Sequence, residues 1–175
     1  MTSSEQTQID AGQFELLRRS NIKVVEGGHD GAGLRIAIVA CRFNGGITQR
    51  LLSGVLRRAT DLGVDTTDLS VTWVPGAFEA PVVAQKISDS GSVDAVICLG
   101  AVIRGDTPHF EYVAGEAARG IQNVALTTGV PVIFGILTVN TAEQALDRCR
   151  DDDSDKGAEA LATAVETIRV LRRWS

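Results

Sequence analysis

Val93-Asp94-Ala95-Val96-Ile97-Cys98-Leu99 runs directly into Gly100-Ala101-Val102-Ile103-Arg104-Gly105-Asp106-Thr107-Pro108-His109-Phe110-Glu111, and this passage decides how the chain folds. The largely apolar run suits a strand buried on both faces of a parallel sheet. After it the spacing becomes helical, with Phe110, Val113, Ala114, Ala117, Ile121 and Val124 on one face. A strand feeding a helix through a glycine-containing turn is the repeating unit of a parallel α/β sheet. At the junction Thr107 is placed to be the N-cap and Pro108 the first helical residue, where a missing N–H costs nothing. Free N–H groups at residues 105–107 then meet the positive end of the helix dipole, which favours an anion. His109, one of two histidines in the chain, stands beside them.

The same alternation extends outward in both directions. Residues 34–40 form an apolar strand-like run, and Ile47, Leu51, Leu52, Val55, Leu56, Ala59 and Leu62 recur at helical spacing before Gly63 stops them. Residues 69–74 read as a second strand, 77–88 as a helix and 93–99 as the third strand. Residues 130–139 read as the fourth strand, 141–149 as a short helix and 157–173 as a final amphipathic helix. Right-handed crossovers then give a doubly wound parallel sheet with helices on both faces. Ligands in such sheets bind beyond the carboxyl ends of the strands, which points to residues 42–44, 75–79, 100–109 and 138–140. Residues 1–21 are polar and weakly patterned, a flexible arm ahead of a single domain over 22–175. Ile22-Lys23-Val24-Val25 is an edge strand suited to pairing with a neighbouring subunit.

Composition narrows the class. A chain of 175 residues can bury a sizeable core as one domain. The net charge of −5, with no Lys/Arg tract, argues against nucleic acid as a partner. No apolar run approaches the ~20 residues needed to span a bilayer, and the polar start lacks the apolar centre of a secretory signal. Cys41, Cys98 and Cys149 have neither disulfide nor zinc spacing, which fits a reducing cytoplasm. Two histidines without paired ligands give no support to a metal site.

At the strand ends each candidate has a plain reading and a chemical one. Phe43 is a core or capping aromatic, or a ring that stacks on a flat heterocycle. In Pro75-Gly76-Ala77-Phe78-Glu79 the carboxylate is a helix-dipole partner, or an acceptor for sugar or polyol hydroxyls. His109 is the acid–base candidate, since unperturbed imidazole titrates near ~6.5. Asp106 would repel a phosphate unless its side chain points outward while its N–H points in. Arg148 and Lys156 sit near helix ends, where most cations are solvated, and the acidic run 151–155 between them reads as a wet loop. These residues alone describe an α/β enzyme or binding domain for a phosphorylated ligand, with no named reaction.

The motifs together carry a resemblance. Phe43-Asn44, Val74-Pro75-Gly76-Ala77-Phe78-Glu79, Gly100-Ala101-Val102-Ile103-Arg104-Gly105 with Thr107 and His109, Gly129-Val130-Pro131-Val132, Phe134-Gly135, Glu143-Gln144-Ala145, Arg148 and Lys156-Gly157 resemble, in order, the 6,7-dimethyl-8-ribityllumazine synthase family. The likeness covers the chain from about Ile22 onward. It implies a flavodoxin-like three-layer sandwich with a four-stranded parallel sheet. It also implies the penultimate step of riboflavin biosynthesis, condensation of 5-amino-6-(D-ribitylamino)uracil with 3,4-dihydroxy-2-butanone 4-phosphate, without metal or organic cofactor. By the same resemblance Phe43 stacks on the pyrimidine. Phe78 and Glu79 bind the ribityl chain beside Ala77, and Asn44 and Lys156 add polar contacts. Backbone groups of Ala101, Val102 and Ile103 read the pyrimidine edge. Asp106 and Thr107 hold phosphate through main-chain N–H groups, and His109 shuttles protons. Phe134, Arg148 and Lys156 come from an adjacent subunit, so a homopentamer is implied, with an icosahedral shell open as a further step.

The chain departs from the family pattern at Cys149-Arg150, where Ala-Gly is usual, and at Asp155, where Asn is common. The spacing from Arg148 to Lys156 is kept. Two other classes share such a fold: a binding module that holds a ribityl or flavin ligand, and a cage subunit without catalysis. The joint presence of Phe43, Glu79, His109, Arg148 and Lys156 disfavours both, since a container needs none of them.

Overall fold

A computed structural model describes residues 11–174. Four parallel strands, β1 (Ile36–Cys41), β2 (Leu69–Val74), β3 (Ala95–Ile103) and β4 (Val132–Val139), lie in the order β2-β1-β3-β4. Ahead of them is helix α1 (Ala11–Arg19). Between and after them run α2 (Gly45–Asp61), α3 (Ala80–Ser88), α4 (His109–Thr128), α5 (Ala142–Asp147) and α6 (Lys156–Leu171). This is the three-layer α/β arrangement expected from the sequence.

Two cores lie on the two faces of the sheet because strand side chains alternate. Ile36 and Ile38 of β1, with Ile97 and Leu99 of β3, meet Leu51 and Val55 of α2 and Leu161 and Val165 of α6. Ala37, Val39 and Cys41, with Val96 and Cys98, meet Ala80 and Ala84 of α3 and Ala117 and Ile121 of α4. Every residue of β1 is buried, as its unbroken apolar run requires. Each fully buried aliphatic side chain contributes roughly 1.5–3 kcal/mol. At the amino-terminal edge Asp94 accepts from the Arg35 N–H at 2.8 Å and from Arg172 Nη2 at 2.9 Å, fastening β1, β3 and the end of α6.

The chain starts in the middle of the sheet, moves out to β2, then returns past β1 to β3 and β4. The connections after β1 and β3 therefore leave toward opposite faces, and a crevice opens between those strand ends.

Several elements differ from expectation. Of the arm over 1–21, residues 1–10 lie outside the described residues, while Ala11–Arg19 form α1, for which the sequence suggested no element. Residues 22–25 join no strand of this sheet. Strand β3 does not end at Leu99 but continues through Gly100 to Ile103, because those residues pair with Ile136 to Val139 of β4. Helix α4 begins at His109 with Pro108 as N-cap, and Thr107 makes no side-chain hydrogen bond among the described residues. Pro108 already has helical dihedrals (φ −63°, ψ −3°), and the Glu111 N–H closes the first turn onto its carbonyl at 3.0 Å.

The acidic run 151–155 is corrected at one residue. Residues 151–154 are exposed, but Asp155 is only 4% exposed and caps α6. Its carboxylate accepts from the Gly157 N–H at 2.9 Å and from Arg57 Nη2 at 2.7 Å.

Candidate functional site

The crevice beyond β1, β2 and β3 is a cleft of about 550 Å³. Three connections form it. After β1, Asn44 takes the left-handed conformation (φ 56°, ψ 37°), which asparagine tolerates better than most residues. Its carbonyl accepts from the Ile47 N–H to start α2, and its Nδ2 donates to the Ala101 carbonyl at 2.9 Å. The turn leaves Phe43 beside the cleft, 74% exposed, with its N–H bonded to the Pro75 carbonyl at 3.0 Å. After β2, Ala77 is buried while Phe78 (57% exposed) and the exposed Glu79 line the same cleft.

The third wall is the overrun of β3. Beyond Leu99 this strand has β4 on one side but no β1 partner on the other. Successive residues of a strand aim their backbone groups to alternate sides. The N–H groups of Val96 and Arg104 both point to β4, donating to the Pro131 and Val139 carbonyls at 2.9 Å. Ala101 and Ile103 therefore face the cleft side. Asn44 takes the Ala101 carbonyl, and the Ile103 backbone groups, without a partner among the described residues, are open to hydrogen-bond a flat polar edge.

Past the strand, Gly105, Thr107 and the exposed His109 line the cleft, whereas Asp106 is exposed and does not line it. The N–H groups of residues 105–107 have no hydrogen-bond partner among the described residues. Arg104 braces this loop: Nη1 pairs with Glu111 at 2.6 Å, Nε bonds Asn140 Oδ1 at 3.0 Å, and the guanidinium stacks on Phe110 at 4.3 Å. Under the cleft, burial and the nearby Glu79 charge push the Cys41 thiol up to about 12, so it is no nucleophile at neutral pH.

Phe134, Arg148 and Lys156 are not in this cleft. They line a second hollow of about 510 Å³ along the outer strand β4, between α4 and α6. Phe134 is 42% exposed. Arg148 Nη1 donates to the Gln144 carbonyl at 2.9 Å and makes no ion pair among the described residues, while Lys156 pairs with Glu159. Of the segment 138–140, Thr138 lines this hollow and Asn140 serves Arg104.

Thus Phe43, Asn44, Ala77, Phe78, Glu79, Ala101, Val102, Ile103, Thr107 and His109 come together, and Phe134, Arg148 and Lys156 gather elsewhere. Sequence reasoning missed Tyr112, which lines the cleft and is 69% exposed. It lies three residues beyond His109, a spacing that puts both on one helix face. No group of three or more His, Cys, Asp or Glu among the described residues could hold a metal ion. No described helix is long and apolar enough to cross a membrane.

Comparison with known proteins gives one consistent result. Residues 33–172 match the family model described as 6,7-dimethyl-8-ribityllumazine synthase. The chain is also 46% identical over 153 residues to the 6,7-dimethyl-8-ribityllumazine synthase of Nitratidesulfovibrio vulgaris (strain DSM 19637 / Miyazaki F), a match covering 87% of this chain and 98% of that protein.

Proposed function

The chain belongs to the 6,7-dimethyl-8-ribityllumazine synthase family of transferases, and from that premise we propose that it condenses 5-amino-6-(D-ribitylamino)uracil with 3,4-dihydroxy-2-butanone 4-phosphate. The products are 6,7-dimethyl-8-ribityllumazine, phosphate and water, in the penultimate step of riboflavin biosynthesis. The observation that carries this reading is the cleft itself, with two exposed phenylalanines, an open strand edge and an imidazole around one space. Phe43 stacks on the pyrimidine, and the open backbone of Ile103 meets its polar edge beside Ala101 and Val102, with Asn44 holding the Ala101 carbonyl. Phe78 and Glu79 take the ribityl chain beside Ala77, the carboxylate accepting from its hydroxyls.

The free N–H groups of residues 105–107 hold the phosphate of the second substrate at the start of α4, Asp106 and Thr107 through their main chains. The ring amine attacks the ketone carbonyl and water leaves as the imine forms. Phosphate is then eliminated, and the ribitylamino nitrogen closes the second ring with loss of water. His109 moves protons in these steps. Bringing both substrates to one place supplies the rest of the acceleration.

Each chain holds Arg148, Lys156 and a further aromatic, Phe134, along its outer strand β4 and apart from its own cleft. A working site therefore joins the cleft of one copy to the β4 hollow of the next. Arg148 pairs with phosphate and Lys156 approaches the ribitylaminouracil. The protein functions as a homo-oligomer, at least a pentamer, in which Ile22 to Val25 add a strand to a neighbour. Incubating the purified protein with both substrates should give lumazine absorbance and released phosphate together. A folded, assembled protein that yields neither overturns the proposal.

A further inference from the structure

We infer that Arg57 and Asp155 form a positioning pair that sets Arg148 and Lys156 in the β4 hollow; this rests on the phosphate role proposed above for Arg148. Neither residue of the pair lines either hollow. Asp155 is buried in a loop whose other acids are exposed. A carboxylate is held in such a place only when its partners replace water. Here they are the N–H groups of Gly157 (2.9 Å) and Ala158 (3.3 Å) and the Arg57 guanidinium (2.7 Å). Arg57 also reaches Asp151 through Nε at 2.8 Å, so one side chain of α2 grips the loop at two points.

Two glycines make the room. A Cβ at Gly54 would overlap the Asp155 carboxylate, and one at Gly157 would overlap the Leu51 backbone. Helices α2 and α6 meet there, and the carboxylate lies in their seam. The next residue completes the link: the Lys156 N–H donates to the Arg148 carbonyl at 2.8 Å. The segment carrying both cations is thus anchored to α2 through Asp155 and closed on itself through that bond. Removing Arg57 frees the anchor without touching the hollow.

The test uses the assembled full-length protein and its Arg57→Met, Asp155→Asn, Arg148→Ala and Arg57→Met/Arg148→Ala variants. Calorimetric binding of inorganic phosphate and KM for the butanone phosphate are measured, with kcat and melting temperature alongside. Arg57→Met should weaken phosphate binding and raise that KM about fivefold, less than loss of the direct donor, with kcat nearly unchanged. Asp155→Asn keeps a capping oxygen but loses the charge pair, so it should fall between wild type and Arg57→Met. The double variant should bind phosphate no worse than Arg148→Ala alone, because both changes act through one contact. Multiplying effects, or wild-type phosphate binding in Arg57→Met, overturn the inference. Should Arg57→Met fail to assemble, wild-type phosphate affinity in Asp155→Asn has the same force. Phosphate binding needs no turnover, so wild-type protein that binds phosphate but makes no lumazine overturns the reaction and leaves the pair under test; absence of phosphate binding by wild type overturns the pair.

Discussion

The cleft beyond β1 to β3 is walled by aromatic and apolar side chains, backbone edges and one imidazole, whereas the hollow along β4 carries Arg148 and Lys156 around Phe134. The first suits a planar heterocycle, proton transfer and an anion held by main-chain N–H groups, and the second supplies cationic side chains. The stacking surfaces and imidazole thus lie in one hollow and the cations Arg148 and Lys156 in the other. Under the proposed function this contrast means that the chemistry is divided between two sides of one subunit, and the following experiments strain that division.

The largest effect should come from the cleft. His109→Ala should lower kcat on the order of 10²-fold, with pyrimidine binding largely retained. Equal rates in stopped-flow assays would remove the imidazole from the mechanism. Next comes a mixing experiment with His109→Ala and Arg148→Ala chains, dissociated and reassembled together. In random rings from equal amounts of each, about a quarter of the interfaces would join an intact cleft to an intact hollow, and with the butanone phosphate well below its KM that share of wild-type turnover should return. No recovery beyond the separate variants means that the two hollows do not meet between copies. Arg148→Ala alone should raise KM for the butanone phosphate about tenfold, the loss of one charge-assisted bond. Unchanged saturation curves would detach this arginine from the phosphate.

The smallest effect on turnover belongs to a residue in neither hollow. Burial alone would raise the Asp94 carboxyl, but the Arg35 N–H and guanidinium, with Arg172, outweigh it and hold it below the usual range. Its folded pKa is the lower one, so its contribution is complete above the unfolded value of ~3.9 and fades as pH falls through the folded value. Asp94→Asn should therefore keep kcat and lower the melting temperature at pH 7 by about 2–4 °C. The two proteins' melting curves should converge in strong acid; a constant gap down to that range would show that the ion pair is not the cause.

Alternation of apolar runs revealed the sheet, because buried parallel strands leave continuous hydrophobic signatures. The end of β3 was hidden: Gly100 reads as punctuation, and only pairing with β4 carries the strand on to Ile103. Asp155 was hidden for a similar reason, since its neighbours are solvated and the space that buries it lies at Gly54, far away in sequence. Thr107 looked like a cap by residue type, but Pro108 already adopts helical geometry and takes the terminal position. The cleft residues were legible because they follow strand ends in order. Tyr112 was not, since a tyrosine within a helix resembles any half-exposed aromatic.

The buried cysteines have a practical consequence. Cys41, Cys98 and Cys149 are all covered, and burial, first among the causes in each, raises their thiols above the usual range. Thiolate is the species that alkylating reagents capture, so the native fold should stay silent toward maleimide probes. A single cysteine introduced at an exposed rim position would then be the reactive handle, and fluorescent reporters could follow assembly without first stripping the chain of its own sulfur.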